Sequence, residues 1–537
     1  MIYTALGGAG EVGASCHLLQ IAGRNIVIDS GLRPNRRGEE SLPNFELLQA
    51  LTRGKVDLFL LSHAHIDHTG SLPLMHAQYP ATPMLCTEPT QVIVDILLRD
   101  TIKIMDMQRE DGGEFPLFGR REVENALAHL QTVAFDRWVE PIPGVRVYFH
   151  RSGHIVGAGC VLIETEEGKV VYSGDISVAA QRTVAGMKPI DFFQPDLLIL
   201  EGTYGDGAHP NRSSQEQTLA KAVAEVVEDG GTVLIPSFAL GRAQEVILIL
   251  KFSMLSQTIS TFPIYTDGMV RWICDAYYDM RDPERGLLPY LPEKLQNFVR
   301  NSRQHVFWSR PRRNMPEVSR LQANERVSIL TKGPKVIIAS SGMLVGGPSA
   351  FYAKALASDR KNAIFITGYQ DEESPGRRLL ELQTGDTLKI DGVDVPMLCR
   401  VDKYNLSAHA DQIQLCQQVS YMKPRSIVLV HGEIRALRTL RDKLIDKYIV
   451  YAPRNAETFD PMKAPEWMSA AKQEYLEADR ARFVGDVRVT GEGVEVRFPA
   501  EMRNHPTWRR RYADADEIEV AFDGPRMRLS PSRKDPS

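Results

Sequence analysis

Five short apolar runs in this 537-residue chain each end in a residue that a hydrophobic core would not select. Asn25-Ile-Val-Ile leads to Asp29, Val56-Asp-Leu-Phe-Leu-Leu-Ser leads to His63, and Val170-Val-Tyr-Ser-Gly leads to Asp175. Leu197-Leu-Ile-Leu leads to Glu201, and Ile427-Val-Leu-Val leads to His431. Runs of this length and β-branched content read as buried strands, and strand ends are where a sheet hands polar side chains to the solvent edge. Repetition of the pattern predicts one α/β core whose strand ends converge on a single polar site.

Residues 206–395 read as a separate α/β unit. Ser213-Ser-Gln-Glu216 has capping-box spacing ahead of Leu219, Val223 and Val226, and the strand Thr232-Val-Leu-Ile-Pro runs through Phe238-Ala-Leu-Gly241 into a helix starting at Arg242. Val336-Ile-Ile-Ala followed by Ser340-Ser-Gly-Met repeats the strand-to-small-residue turn, as in parallel βαβ packing. Because polar strand ends lie on both sides, at Glu201 and at His431, this unit reads as an insertion into the first domain. After residue 455 the chain turns to charged segments and short alternating runs. Val487-Arg-Val and Val494-Glu-Val-Arg-Phe around Thr490-Gly-Glu-Gly493 predict a hairpin, Ile518-Glu-Val-Ala-Phe a third strand, and Ser530 to Ser537 a disordered end.

Composition excludes several classes. Hydrophobic residues make up 43%, so the chain folds into large cores, and 64 Lys and Arg against 68 Asp and Glu leave no global field for nucleic acid or membrane. Any polyanion site must therefore be local. No apolar run approaches the roughly 20 residues that span a bilayer, and the opening residues, without a basic stretch followed by an apolar one, predict no secretory leader. Six scattered cysteines without a CxxC pair predict reduced thiols and a cytoplasmic protein.

Ser62-His63-Ala-His65-Ile-Asp67-His68 reads H-x-H-x-D-H. Imidazoles two residues apart can share one metal, and an adjacent Asp-His pair can face a second; this donor mixture suits zinc. Taken alone, Asp29 fits a turn aspartate as well as a partner for a ligand imidazole, and Ser407-Ala-His409-Ala-Asp411 fits a capped helix start.

The ordered set Gly7-Gly-Ala-Gly-Glu-Val-Gly13, Asp29, His63 to His68, Ser152-Gly-His154, Ser173-Gly-Asp175, Glu201-Gly-Thr-Tyr-Gly205, Phe238 to Glu245, Ser407 to Asp411 and Leu429-Val-His431-Gly-Glu433 resembles the metallo-β-lactamase fold. Within it, the chain is similar to the β-CASP nucleases that process RNA ends, including the nuclease subunits of the cleavage-and-polyadenylation and Integrator complexes and their prokaryotic relatives. The resemblance implies an αββα sandwich formed by residues 1–205 and 396–454, a βαβ-type β-CASP insertion at 206–395, and a small α+β appendage at 455–537. It implies two Zn2+ ions per chain, with Mn2+ as a substitute. His63, His65 and His154 would hold one, Asp67, His68 and His431 the other, with Asp175 bridging and Asp29 behind a ligand imidazole. Asp67, Asp175, Glu201 and His409 would be catalytic, His409 as general acid paired with Glu201. A histidine at 431 resembles the RNA-cleaving branch, so the expected activity is hydrolysis of single-stranded RNA to a 3′-hydroxyl and a 5′-phosphate.

Two other functions fit the same residues: a small-molecule phosphodiesterase, thioesterase or lactonase on the same centre, and a silent scaffold binding RNA or a partner nuclease. Endonucleolytic and exonucleolytic action, and a homodimer or a processing-complex partner, stay open. For RNA contacts the candidates are Arg242 and Ser341, in Gly-rich turns that present N–H groups to an anion or serve only tight βα packing. Arg310, Arg312 and Arg313 lie in a tract from Arg300 to Lys335 with nine Lys or Arg against two Glu, with Phe307 and Trp308 for base stacking. The tract reads equally as an ordinary basic face. His17, His76, His129, His150, His209, His305 and His505 match no ligand position and read as core or surface residues.

Overall fold

The computed structural model describes residues 1–112, 115–278, 286–311, 316–463, 486–490, 493–497, 518–523 and 526–531. They fall into two compact units, Met1–Met462 and Lys463–Ser537.

In the first unit two seven-stranded sheets face each other. One runs, in spatial order, Thr458–Phe459, Ile2–Gly7, Cys16–Ile21, Arg24–Ile28, Leu58–Leu60, Met84–Thr87, Leu130–Val133. The other runs Ile449–Tyr451, Ser426–Val430, Leu197–Glu201, Lys169–Tyr172, Gly159–Glu164, Val145–Arg151, Trp138–Ile142. Alternation along each strand sends one set of side chains into the space between the sheets: Ile26, Ile28 and Leu58 from the first meet Val147, Val161 and Ile199 from the second in one buried cluster. The opposite faces carry helices. Phe59 and Leu61 join Ile93 and Leu97 of the helix Glu88–Gly112, while Leu198 and Leu429 join Leu415 and Leu440 of the helices Gln412–Met422 and Ile434–Leu444. The result is the αββα sandwich expected from the resemblance.

A third sheet of six parallel strands, ordered Val318–Arg320, Ile264–Asp267, Lys335–Ala339, Thr232–Pro236, Ala363–Ile366, Arg400–Lys403, forms the inserted domain. It enters after Leu197–Glu201 and returns to Ser426–Val430, which is that strand's hydrogen-bonded parallel neighbour. Two boundaries differ from the sequence reading. Arg400–Lys403 lies past residue 395 yet pairs with Ala363–Ile366, so the insertion extends to that strand. Thr458–Phe459 lies past 455 yet extends the first sheet beside Ile2–Gly7. The first helix of the insertion starts at Arg212, capped by the Asn211 side chain through the Ser214 N–H, so Ser213 is inside the helix and Glu216 is free for the ion pairs described below.

In the second unit Asp486–Thr490 pairs antiparallel with Gly493–Arg497, the expected hairpin. Ile518–Asp523 pairs with Arg526–Pro531, which places Ser530 in a strand. Among the described residues no helix is long and apolar enough to cross a membrane.

Candidate metal centre

Strand ends of both sheets bring seven donors together. Leu58–Leu60 runs into the loop carrying His63 and His65, and the short helix Ile66–Thr69 carries Asp67 and His68. Gly31 lies so close to the Asp67 carbonyl that any Cβ there would collide with it, which fixes this loop against the end of Arg24–Ile28. From the second sheet come His154, Asp175 and His431, the last at a left-handed φ of 49° that turns it sharply off its strand. Asp29 makes the same turn at φ 60°.

His63, His65, His154 and Asp175 form one group with all donor atoms within 4.8 Å of one another, and Asp67, His68 and His431 form a second. Asp175 reaches both: its Oδ2 is 3.4 Å from His63 Nε2 and 3.5 Å from His154 Nε2, while its Oδ1 is 3.5 Å from both His68 Nε2 and His431 Nε2. Donors at ~2.0–2.1 Å on a tetrahedral cation lie roughly 3.3–3.4 Å apart, so these spacings fit side chains sharing an ion rather than bonding each other. Asp175 Oδ1 is buried without a hydrogen-bond partner, and burial, with Glu201 and Asp67 adding to it, holds its carboxyl well above the usual range. Burial likewise lifts Asp67 to about 6. Crowded acids with an orphaned oxygen are what a pair of divalent cations would relieve.

The imidazoles are prepared as neutral donors. Burial, and then repulsion from neighbouring imidazole charges, holds His63, His68 and His154 well below their usual range and brings His65 to about 4, while burial brings His431 to about 4 against the opposing charge of Glu201. Every far ring nitrogen has a partner, which sets ring orientation. His68 Nδ1 donates to Asp29 Oδ2 at 2.8 Å, and His154 Nδ1 to the Ala408 carbonyl at 2.8 Å. His63 Nδ1 meets Ser62 Oγ at 3.0 Å, His431 Nδ1 meets Ser15 Oγ at 3.2 Å, and His65 bonds the Leu240 backbone of the insertion.

Glu201 and His409 stand at the edge of this cluster. His409 Nδ1 lies 3.0 Å from Glu201 Oε2, and its Nε2 faces Asp175 Oδ2 at 4.0 Å. Burial opposes ionisation of Glu201, but the charge and hydrogen bond of His409 outweigh it and hold the carboxyl below its usual range.

A cleft of about 480 Å3 between sandwich and insertion opens onto these residues. Arg242 lines it, 8% exposed, with Nε and Nη1 lacking any partner; burial, then the neighbouring Arg212, lowers its guanidinium to about 10. Ser341 also lines the cleft and accepts the Val345 N–H at 3.1 Å. Arg310 is exposed and not in the cleft lining, while Arg312 and Arg313 lie outside the described residues. Among the described residues, several members of the basic tract around them are already engaged within the fold. Lys335 is buried and donates to the Lys332 and Gly333 carbonyls, Arg326 is forked onto Asp267, Arg320 pairs with Asp275, and Phe307 is fully buried.

Sequence reasoning missed His209, Arg212 and Gln215, which touch the His409 loop. Their contacts are to backbone atoms nearly 200 residues away, and residue types alone carry no sign of such contacts.

An αββα sandwich with clustered candidate metal donors at its paired sheet ends, covered by an inserted parallel α/β domain, defines the class. Family models match in chain order: the metallo-beta-lactamase superfamily at residues 9–237, the Beta-Casp domain at 243–379, and the Zn-dependent metallo-hydrolase RNA specificity domain at 394–453. The chain is 32% identical to RNase aCSPSF2 of Saccharolobus solfataricus over 456 residues, covering 84% of each protein. It is 30% identical to cleavage and polyadenylation specificity factor subunit 3 of Dictyostelium discoideum over 84% of this chain, and 28% identical to endoribonuclease YSH1 of Yarrowia lipolytica over 94% of it. The chain spans 56% and 60% of the length of those two relatives. It belongs to the Beta-Casp branch of the metallo-β-lactamase superfamily.

Proposed function

We propose that the protein is a two-metal ribonuclease that hydrolyses phosphodiester bonds of single-stranded RNA, in processing or decay. The observation that carries this is the bridging position of Asp175 between two complete donor groups, with the His409–Glu201 pair and an unpartnered Arg242 on the same cleft. The relatives named as RNase and endoribonuclease support it.

His63, His65 and His154 would hold one cation, Asp67, His68 and His431 the other, and Asp175 both; zinc suits this donor set, and manganese can substitute. Such a pair, when bound, makes hydroxide available near neutral pH and neutralises charge on the phosphoryl group. Asp67 remains 18% exposed toward the cleft, where its carboxylate can take up the proton of the attacking water. Arg242 holds a non-bridging phosphate oxygen, and Ser341 borders the path of the strand. Water oxygen bonds to phosphorus, the bond to the 3′-oxygen breaks, and His409, steadied at Nδ1 by Glu201, gives its Nε2 proton to the leaving oxygen. The products are a 3′-hydroxyl and a 5′-phosphate.

Six free cysteines, five of them buried, support a reducing compartment, the cytoplasm. The relative named as a specificity-factor subunit supports a processing-complex partner, and the β-hairpins after residue 486 are a candidate homodimer contact. The test is turnover of labelled RNA with zinc or manganese by wild type and by the His65→Ala, Asp67→Ala double variant. Loss of cleavage in the variant is expected, and equal rates would remove the mechanism. Turnover of a chromogenic ester with no RNA cleavage would favour the small-molecule hydrolase, and far less than one metal per chain the silent scaffold.

A further inference from the structure

The segment 405–410 that carries His409 has no sheet or helix to hold it, yet four consecutive carbonyls are each taken by a side chain. Arg212 Nη1 donates to the Leu406 and Ser407 oxygens at 3.0 and 2.9 Å, His154 Nδ1 to Ala408 O at 2.8 Å, and His209 Nε2 to His409 O at 3.2 Å. The N–H of Asn405 goes to Gln215 Oε1 at 2.9 Å, and the Asn405 amide donates to His209 Nδ1 at 3.1 Å. Three of the gripping residues, His209, Arg212 and Gln215, belong to the first turns of the insertion.

Arg212 reaches further. Its Nη2 bonds Glu245 Oε2 at 2.9 Å and its Nε bonds Glu216 Oε1 at 3.2 Å, with the side chain only 12% exposed. Glu245, fully buried, also accepts the Arg182 and Thr183 N–H groups and the Thr183 hydroxyl. The neighbouring Gln181 donates to the carbonyls of Gly153 and of the metal-site residue His154. One guanidinium fork therefore joins the His409 loop, the His154 loop and the insertion helix Arg242–Leu255, a task that needs several donors in fixed directions.

We propose that Arg212 is a positioning residue for proton donation by His409, placing its imidazole against the leaving oxygen only while the insertion domain is seated. This rests on the reading of His409 as general acid. Without the guanidinium, two carbonyls lose their donor, and a shift of about 1 Å in a reacting group can cost on the order of a hundredfold in rate.

A leaving-group comparison on the zinc-loaded full chain tests it. RNA expels a poor alkoxide that needs the proton, whereas bis(p-nitrophenyl) phosphate expels a phenolate that does not. Arg212→Gln is expected to slow RNA cleavage about 10- to 100-fold while the aryl diester changes by less than about threefold and metal content stays at wild type. His409→Ala should show the same split, the double variant should be no slower than His409→Ala alone, and Arg212→Lys should recover part of the loss. Equal losses on both substrates, or RNA cleavage by Arg212→Gln within about threefold of wild type, overturn the proposal. If Arg212→Gln fails to fold, Gln215→Met, which removes only the Asn405 contact, is judged by the same outcomes. A wild type that cuts no RNA would instead sink the ribonuclease reading itself.

Discussion

Replacing Asp29 by Asn changes one atom and should weaken the second cation site. Asp29 is fully buried. Its Oδ2 accepts from Ser62 Oγ at 2.7 Å, His68 Nδ1 at 2.8 Å and Tyr172 Oη at 2.7 Å, and its Oδ1 accepts from the Ser62 N–H at 2.7 Å. Burial raises this carboxyl to about 6 against the hydrogen bonds of Ser62 and Tyr172 and the charge of His17, and four donors facing it match a carboxylate. An amide has one accepting oxygen. In its better orientation the NH2 group faces the Ser62 N–H, one bond is lost, and the three that remain fall from charge-assisted to neutral strength. Losing one such bond costs about 1.5–3 kcal/mol and the weakening of the others roughly another 1–3, so metal-free Asp29→Asn should be destabilised by about 3 kcal/mol or more. His68 also loses the carboxylate behind its ring, and loss of such a partner lowers metal affinity about 10- to 100-fold. Urea unfolding in excess chelator measures the first quantity, and competition with a chromophoric chelator measures the second. If Asp29→Asn binds both ions within about twofold of wild type and unfolds at the same urea concentration, the hydrogen-bond reasoning for this site is wrong.

On the proposed two-cation reading, His431→Ala should lower bound metal from two ions per chain to one by elemental analysis, because only Asp67 and His68 would remain with Asp175. Arg242→Met should raise the melting temperature of the ligand-free protein by removing an unpartnered buried guanidinium, while reducing kcat/KM on RNA by about 10- to 100-fold with metal content unchanged. Lys251 is fully buried and donates to the His305, Val306 and Phe307 carbonyls at 3.2, 2.9 and 3.0 Å. Lys251→Met should leave these unsatisfied and cost about 3 kcal/mol in urea unfolding, with the metal centre intact.

The core sheets and the donor set were legible because their information is local. A β-branched run ending in His, Asp or Glu reports both the strand and what it delivers, and five of the relevant side chains, Asp29, His63, Asp175, Glu201 and His431, follow that pattern. The end of the insertion was not legible, because Arg400–Lys403 is mostly polar, has no fully buried residue and lacks the apolar run that marks a buried strand. For a related reason, net charge along the basic tract does not record that Arg326 and Arg320 face Asp267 and Asp275, or that Lys335 turns inward. The grip on the His409 loop was invisible because it is made to main-chain oxygens, which every residue possesses.

Leu197–Glu201 and Ser426–Val430 are parallel neighbours, and parallel neighbours cannot be joined by a tight turn; they require a crossover, ordinarily one helix. Here that helix is Gln412–Met422, and the whole inserted domain is an enlargement of the connection ahead of it. His409, the proposed acid, lies just ahead of the crossover helix and so goes with the sandwich, whereas Arg212 and Gln215, which hold its loop, belong to the enlargement. A chain pared back to the crossover alone would keep its sheet order and its candidate cation ligands, but the loop of His409 would be left with only the sandwich's own contacts, from His154 and Glu201.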